Sequence, residues 1–250
     1  MSQLGDLLLR RHSFRKFTSQ KVDDGLLKEM LTKAARTSTC GNMQLYSVVI
    51  TKDEDVKKKL GPAHFCQPAF VNAPVILTFC ADYNRFTKWC EHNNATPGYD
   101  NLESFMSASV DTIALAQTFS LLAEEAGLGL CYLGTTTYNP KQVAEALNLP
   151  KLVFPVVTLA LGYPEGEPEL TDRIAVDGFI HEQQYHDYAD ADIDKIFAYK
   201  DDIPANKAFV EENKKQNLAQ VFTDIRYTKK DNEFFSKQLL DFIKEQNFLK

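Results

Sequence analysis

The sequence predicts an α+β protein, and two observations lead to that class. Three segments rich in β-branched and other apolar residues, at 45–51, 75–81 and 154–162, have the length and composition of strands. A further segment, residues 102–126, carries apolar side chains around most of a helix circumference and few charges. Because a helix that is apolar on all sides is typical of a protein interior, we expect residues 102–126 to form a buried central helix.

Shorter patterns predict the other helices. Leucines spaced i, i+3 and i+4 predict a helix over residues 3–11. Asp23 or Asp24 can cap a second helix at 25–35, because an aspartate side chain accepts from the free N–H groups of the first turn. The remaining predicted elements are helices at 53–60, 140–146, 193–199 and 234–247, and a strand or extended loop at 130–133.

Two segments are predicted to be loops. Residues 37–42 are polar and should be exposed, and residues 82–101 contain Asn, Gly and Pro without periodicity. The chain shows no repeat and no clear boundary. We therefore expect a single domain over residues 1–250, with a core of about 1–165 and a less compact C-terminal extension of 166–250.

Composition limits the possible classes of function. The 250 residues are 44% hydrophobic and 25% charged, as in a globular protein. No apolar run approaches the roughly 18 residues of a membrane span, and no secretory signal is evident, so we expect a cytoplasmic protein without membrane partners. Five cysteines without a C-x-x-C pair argue against a disulfide framework and a zinc site. A net charge of −6 argues against nucleic-acid binding.

A basic cluster near the N-terminus is the strongest local sign of a ligand. Guanidinium groups match phosphate oxygens in a bidentate way, and a hydroxyl adds a further hydrogen bond. The cluster therefore points to an anionic small molecule such as a phosphate, and the alternative is a solvated positive face at a helix end. Its members are Arg10, Arg11, His12, Ser13, Arg15 and Lys16.

Several familiar sites are absent from the sequence. The chain has no G-x-G-x-x-G turn, no G-x-S-x-G elbow and no histidine pair at metal-ligand spacing. Residues 190–194 look like the start of a calcium loop, but Lys195 stands where such a loop needs glycine. Acidic residues near a helix start are the simpler interpretation of that segment.

Five short motifs, taken together and in order, resemble the nitroreductase family of flavoenzymes. The similarity is greatest to the NADPH-dependent branch of oxygen-insensitive nitroreductases and flavin reductases. It implies an FMN-dependent fold with a mixed, mainly antiparallel sheet flanked by helices, and a homodimer with FMN between the subunits. The motifs are R-x-H-S-x-R-x-F at 10–17, T-S-T-C-G-N-M-Q at 37–44, V-D-T-x-x-x-A-Q at 110–117, A-E-x-x-G-L-G-x-x-Y-L-G at 123–134 and L-G-Y-P at 161–164.

The resemblance also implies roles for individual residues. Arg11, His12 and Ser13 would bind the FMN phosphate, with Arg173 as a second clamp. Arg15 would stabilise negative charge on the flavin ring, and the backbone N–H of Gly134 would face the ring, which makes these two the catalytic candidates. Further FMN contacts are implied for Thr39, Cys40, Gly41, Asn42, Gln44, Gln67, Tyr132, Leu133 and Thr135.

The nicotinamide site is less clearly marked. Branch members tend to carry arginine shortly after the Gly-rich turn, where this chain has threonine and tyrosine. Arg226 and Lys237 are the candidates for binding NADPH, and NADH remains possible. Arg11 and His12 also stand in the reverse of the order that is frequent in the branch.

The implied activity is a ping-pong transfer of two electrons from NAD(P)H to a small-molecule acceptor such as a nitroaromatic, a quinone or a flavin. Three other readings stay open at this point. They are a protein that binds or stores flavin without turnover, a module that senses phosphate through its basic cluster, and an enzyme that uses Cys40 as a catalytic thiol.

Overall fold

The computed structural model describes residues 3–250 and centres on a four-stranded sheet. Its strands lie in the order β1-β2-β4-β3, and each neighbouring pair is antiparallel. The predicted α+β class with a mainly antiparallel sheet is thereby confirmed, while residues 1 and 2, where the predicted core begins, lie outside the described residues. The strands are β1 (Tyr46–Thr51), β2 (Val75–Asp82), β3 (Gly129–Leu133) and β4 (Val153–Gly162).

Helices flank this sheet, and those predicted at 3–11, 25–35, 53–60, 102–126 and 140–146 are present with ends shifted by one residue at most. In α2 the Asp23 side chain accepts from the backbone N–H of Leu26 at 2.9 Å, so the predicted cap is confirmed. The helices that precede β4 are α1 (Gln3–Arg10), α2 (Asp24–Ala34), α3 (Glu54–Leu60), α4 (Pro68–Val71), α5 (Asn84–His92), α6 (Leu102–Glu125) and α7 (Pro140–Ala146).

The prediction of a long loop at 82–101 was wrong, because α5 lies within it. Phe86, Trp89 and Cys90 stand at i, i+3 and i+4, so α5 has a short apolar stripe. Tyr83 stacks on Tyr99 with ring centroids 4.7 Å apart, and Phe86 packs edge-on against Tyr99 at 5.5 Å. The stripe covers little more than one helical turn, and the Asn, Pro and Gly that follow it at 93–98 favour a loop.

The central helix α6 packs one side on the sheet. Its side chains Leu115, Ala116 and Phe119 are buried in the core cluster that β2 and β4 share, and the helix ends before Gly127, which has φ of +79°. The expectation that α6 is buried all round was wrong for this single chain. A stripe along its first half is exposed, and it consists of Leu102, Met106, Val110 and Ile113.

By length and mean hydropathy α6 is also the one described helix that would fit a membrane span. Its packing on the sheet gives the apolar composition another explanation, because the core helix of a globular protein meets the same criterion. The predicted lack of membrane and nucleic-acid partners and the cytoplasmic location stay predictions.

The described chain divides into two compact units. One contains the sheet and runs to Leu170, with Phe235–Lys250 added, and the other is Thr171–Phe234. The prediction of one domain with an extension at 166–250 stays a prediction. In the second unit the helix predicted at 193–199 is longer, and two further helices were missed: its elements are α8 (Asp190–Asp202), α9 (Pro204–Glu212) and α10 (Leu218–Val221).

The last helix, α11 (Lys229–Glu245), begins five residues before the predicted start at 234. Its C-terminal part belongs to the core of the first unit, because Phe242 packs against Phe154 with ring centroids 5.4 Å apart. Phe248, just beyond the helix, is buried against Phe105 at 5.4 Å. The chain end therefore completes the core that the sheet begins.

Candidate functional site

The basic N-terminal segment is fixed along one end of the sheet. Phe14 donates its backbone N–H to Leu130 in β3 at 2.9 Å. Phe17 forms an isolated antiparallel bridge with Pro164, just beyond β4, and Glu165 donates to the backbone oxygen of Lys16 at 3.0 Å. These bonds hold the basic segment against the ends of the two strands.

Arg11 and His12 place buried polar atoms without partners at this end of the sheet. The Arg11 Nη2 pairs with Glu124 Oε1 at 2.8 Å, and the Glu124 side chain is only 5% exposed. Arg11 Nε and both ring nitrogens of His12 are buried and have no hydrogen-bond partner among residues 3–250. A buried polar atom that lacks a hydrogen-bond partner costs the fold about 1–3 kcal/mol. An anion that accepts hydrogen bonds from these nitrogens would remove this cost, so the group is suited to bind one.

Two neighbouring cavities open beside this segment and share Phe14 in their walls. The larger, about 380 Å³, is lined by Arg11, His12 and Glu124 among others. The smaller, about 330 Å³, includes Ser13 and Arg15. Three of the residues predicted to bind one phosphate group, Arg11, His12 and Ser13, thus line two adjoining cavities.

Arg15 is exposed and acts electrostatically on β3. Burial raises the pKa of the Cys131 thiol, and the positive charge of Arg15 acts in the opposite direction. In the next residue, Tyr132, the hydroxyl donates to Gln117 Oε1 at 3.1 Å and accepts from Ser120 Oγ at 3.2 Å. Arg15 therefore lies near the strand that leads into the Gly-rich turn.

The loop that contains Thr39, Cys40, Gly41, Asn42 and Gln44 is tied to α6 by Asp111. This buried carboxylate accepts the backbone N–H of Cys40 at 2.8 Å and that of Leu45 at 3.2 Å. Gly41, Asn42 and Gln44 have φ between 54° and 57°, and Arg85 donates to the backbone oxygen of Gln44. The carboxylate gives the exposed loop a defined backbone path.

Gln67 and Thr135 are brought together from distant parts of the chain. Gln67 Nε2 donates to Thr135 Oγ1 at 3.1 Å, and His64 Nδ1 lies 2.9 Å from the same oxygen. Thr135 belongs to a short 3-10 turn, Gly134–Thr137, which follows Leu133 at the end of β3. A Cβ added at Gly134 would meet no atom within 4 Å, so the turn leaves open space above this glycine.

The C-terminal helix adds aromatic side chains next to this turn. Phe235 of α11 stacks on Tyr138 with centroids 4.4 Å apart and planes at 11°. Phe65, two residues before Gln67, meets Phe235 edge-on at 6.4 Å. No local pattern in the sequence marks this group, because its members come from three separate segments.

The other predicted residues have local contacts of their own. In the second unit Arg173 donates to Thr171 Oγ1 at 2.8 Å, and the guanidinium of Arg226 lies over the Phe209 ring at 4.3 Å. Lys237 is exposed on α11. Their assignment to phosphate and nicotinamide binding stays a prediction.

Three residues of the site received no role from the sequence. Asp111 lies in the V-D-T motif and Glu124 in the A-E-x-x-G motif, and both motifs resemble the family. The motifs therefore located these two residues but did not indicate which contacts they make. His64 had no such signal. Each acts through a contact between residues 66 to 113 positions apart along the chain, which only the folded structure reveals.

The buried His64 should make the stability of the protein depend on pH. Burial lowers its pKa from 6.5 to about 4. As pH falls below 6.5 the unfolded chain binds a proton that the folded chain does not, so the free energy of unfolding decreases, by about 3 kcal/mol at pH 4. We expect urea unfolding of His64→Phe to lack this part of the decrease. Parallel pH curves for the two proteins would show that the prediction is wrong.

Comparison with known proteins identifies similar sequences. The model of the Nitroreductase family matches residues 8–163. An oxygen-insensitive NADPH nitroreductase from Salmonella typhimurium is 33% identical over 185 residues, covering 74% of this chain and 75% of that protein.

Solved structures extend the match to nearly the whole chain. A protein from Bacteroides fragilis described as an oxidoreductase is 53% identical, with a TM-score of 0.96 and coverage of 98% of this chain and 100% of that one. A nitroreductase from Bacillus subtilis is 25% identical, with a TM-score of 0.86 and coverage of 98% and 99%.

Proposed function

Because this chain belongs to the nitroreductase family and is an NAD(P)H-dependent oxidoreductase, we propose that it binds FMN and transfers two electrons from NADPH, or NADH, to a small acceptor. Nitroaromatics, quinones and flavins are the proposed acceptors. The observation that carries the proposal is a set of buried nitrogens on Arg11 and His12 that have no hydrogen-bond partner among the residues the structure describes. A phosphate group supplies the acceptor oxygens that these nitrogens lack.

The phosphate end is the better defined half of the proposed FMN site. Glu124 holds one side of the Arg11 guanidinium, which leaves Nε for the ligand. His12 offers a ring nitrogen beside it, and Ser13 a hydroxyl from the adjoining cavity. Arg173 is proposed as a second clamp. A phosphate dianion needs more than one positive charge, so the grouping suits it.

The ring end is proposed to lie between the loop at Thr39–Gln44 and the turn at Tyr132–Thr135. Gln67 has an amide oxygen and one N–H left after its bond to Thr135, a donor and an acceptor that suit the polar edge of the ring. Arg15 brings positive charge near Cys131 in the middle of β3, and it is proposed to stabilise negative charge on the ring. Gly134 leaves room for the ring to approach the backbone.

When bound, FMN supplies two-electron transfer, first from the nicotinamide and then to the acceptor. The two substrates are proposed to occupy the same site one after the other. The protein's part is to bind, to orient and to set the local charge. The aromatic group of Phe65, Tyr138 and Phe235 borders Gln67 and the turn, where it can shape the space for both substrates. Arg226 and Lys237 are proposed to bind the nicotinamide nucleotide.

A homodimer is part of the proposal. The exposed stripe on α6 consists of four large apolar side chains, with exposed fractions of 49–61%. A continuous apolar stripe of this kind on a single chain is typical of a surface that another chain covers. A second copy packed there supports two FMN sites per dimer.

Anaerobic titration with NADPH tests the function directly. The FMN-loaded protein should lose its visible flavin absorbance on addition of NADPH or NADH, and regain it when a quinone or nitroaromatic follows. A yellow protein that neither nucleotide bleaches would be a flavin-binding protein without turnover. A colourless protein that FMN does not convert would contradict the proposal altogether.

Gly134 provides a test that separates folding from cofactor binding. Its Cβ position is free of protein atoms, so Gly134→Val should leave the thermal unfolding of the protein without FMN unchanged. The added side chain would occupy the space proposed for the ring, and we expect FMN binding to weaken about tenfold or more. Gly98→Val, at another glycine with open space around it, is the matched control. Equal FMN affinities for the two variants would contradict the placement of the ring.

A further inference from the structure

A buried histidine adjoins the proposed ring site without an assigned task. His64 is fully buried, and its ring stacks on Phe70 with centroids 4.9 Å apart and planes at 24°. Its Nδ1 lies 2.9 Å from Thr135 Oγ1, whereas its Nε2 is buried without a partner among residues 3–250. One ring nitrogen therefore has a hydrogen-bond partner, and the other has none among the described residues.

The backbone between His64 and Gln67 has a fixed shape. Phe65 and Cys66 both have left-handed φ angles, 52° and 49°, which non-glycine residues adopt only at a cost of about 1–2 kcal/mol each. Cys66 donates to the backbone oxygen of Gly61 at 2.9 Å, and Gln67 donates to that of His64 at 3.2 Å. The positions of His64 and Gln67 are thus set relative to each other.

The position of the ring hydrogen on His64 follows from its surroundings. Burial lowers the pKa of the imidazole to about 4, so the ring is neutral near neutral pH and carries a single N–H. A buried N–H without an acceptor is rarer than a lone pair without a donor. Since Nε2 has no partner within the described chain, we infer that the hydrogen lies on Nδ1, which donates to Thr135 Oγ1.

The hydroxyl of Thr135 then receives two bonds. Such an oxygen has two lone pairs and one hydrogen. His64 Nδ1 and Gln67 Nε2 occupy both lone pairs, and they are the partners of this oxygen among residues 3–250. The hydroxyl hydrogen is left without an acceptor in the described protein, and it must turn away from both donors.

We propose that His64 is a positioning residue: together with Gln67 it fills the lone pairs of Thr135 Oγ1, so that the Thr135 hydroxyl becomes a hydrogen-bond donor toward an acceptor atom of the bound FMN ring. This inference rests on the proposed function. A donor at the ring favours its electron-rich, reduced form. His64 thereby influences the reduction potential of FMN without touching it.

Variants of the three-residue network test this proposal. Thr135→Val and His64→Phe should each lower the reduction potential of bound FMN, shift its visible absorption spectrum and weaken FMN binding about tenfold. The double variant should match Thr135→Val alone, because His64 acts through the hydroxyl. His64→Asn, whose amide N–H can take the place of Nδ1–H, should restore most of the potential.

The matched control is Thr137→Val, which removes a hydroxyl from the same turn, where it donates to the backbone oxygen of Gly134 at 3.4 Å. Its potential and spectrum should equal those of the unaltered protein. Additive effects in the double variant, or an unchanged potential in Thr135→Val with FMN bound, would overturn the proposal. Failure of the unaltered protein to bind FMN would instead contradict the proposed function.

A measurement on the protein without FMN tests the proposal independently. Nitrogen-15 NMR of histidine in the protein without FMN should show His64 as the neutral tautomer with hydrogen on Nδ1 and a bare Nε2. A hydrogen on Nε2 would overturn the proposal whether or not the variants fold.

Discussion

Replacing Val110 by aspartate is expected to convert the proposed dimer into monomers and to weaken FMN binding about a hundredfold or more. Val110 is 61% exposed on the single chain, so the charge should not disturb the fold of the monomer. In a dimer that covers the α6 stripe, the same carboxylate would be buried without a partner, which costs several kcal/mol. Light scattering after size exclusion gives the mass, and fluorescence titration gives the FMN affinity.

The matched control is Val176→Asp, the same change at a residue of the second unit that is 53% exposed. This variant should remain a dimer and bind FMN normally. A dimeric Val110→Asp, or an unaltered protein that is monomeric while binding FMN, would contradict the proposed interface.

His12→Phe is expected to change stability and FMN affinity in opposite directions. Both ring nitrogens of His12 are buried without hydrogen-bond partners in the described part of the chain, and the ring centroid lies 4.6 Å from that of Phe14. An apolar ring there removes unpaired polar atoms, so the protein without FMN should gain about 1–2 kcal/mol in free energy of unfolding. Loss of a hydrogen bond to a charged phosphate should weaken FMN binding about tenfold to a hundredfold.

Urea unfolding without FMN and fluorescence titration with FMN measure the two effects. His92→Phe, which alters an exposed histidine, should change neither quantity. A His12→Phe variant that is less stable without FMN, or that binds FMN as tightly as before, would show that His12 serves the fold and not the ligand.

The sheet and most helices of the first unit could be predicted because their signals are local. The strands β1, β2 and β4 are marked by β-branched runs, and α2 by the cap at Asp23, whereas β3 contains no β-branched residue and was predicted only as a strand or an extended loop. The helix α5 was missed because its apolar stripe of Phe86, Trp89 and Cys90 is little more than one turn long and is followed by Asn, Pro and Gly. In the second unit α9 has no buried residue, so no apolar stripe marked it.

The candidate site was predictable in its residues and not in its connections. The motifs located Arg11, the loop at Thr39–Gln44 and the Gly-rich turn. They did not indicate that Arg11 pairs with Glu124, that Asp111 ties down the loop, or that His64 joins Gln67 at Thr135. Such links depend on which distant segments meet after folding, and a single sequence contains no local pattern for them.

We propose above all that the basic N-terminal segment binds the phosphate of FMN. A comparison of FMN with riboflavin tests this binding most directly. Riboflavin has the same ring and lacks the phosphate. Fluorescence titration of the protein without FMN should show riboflavin binding about a hundredfold more weakly than FMN, with the difference much reduced in His12→Phe. Equal affinities for FMN and riboflavin would contradict the account.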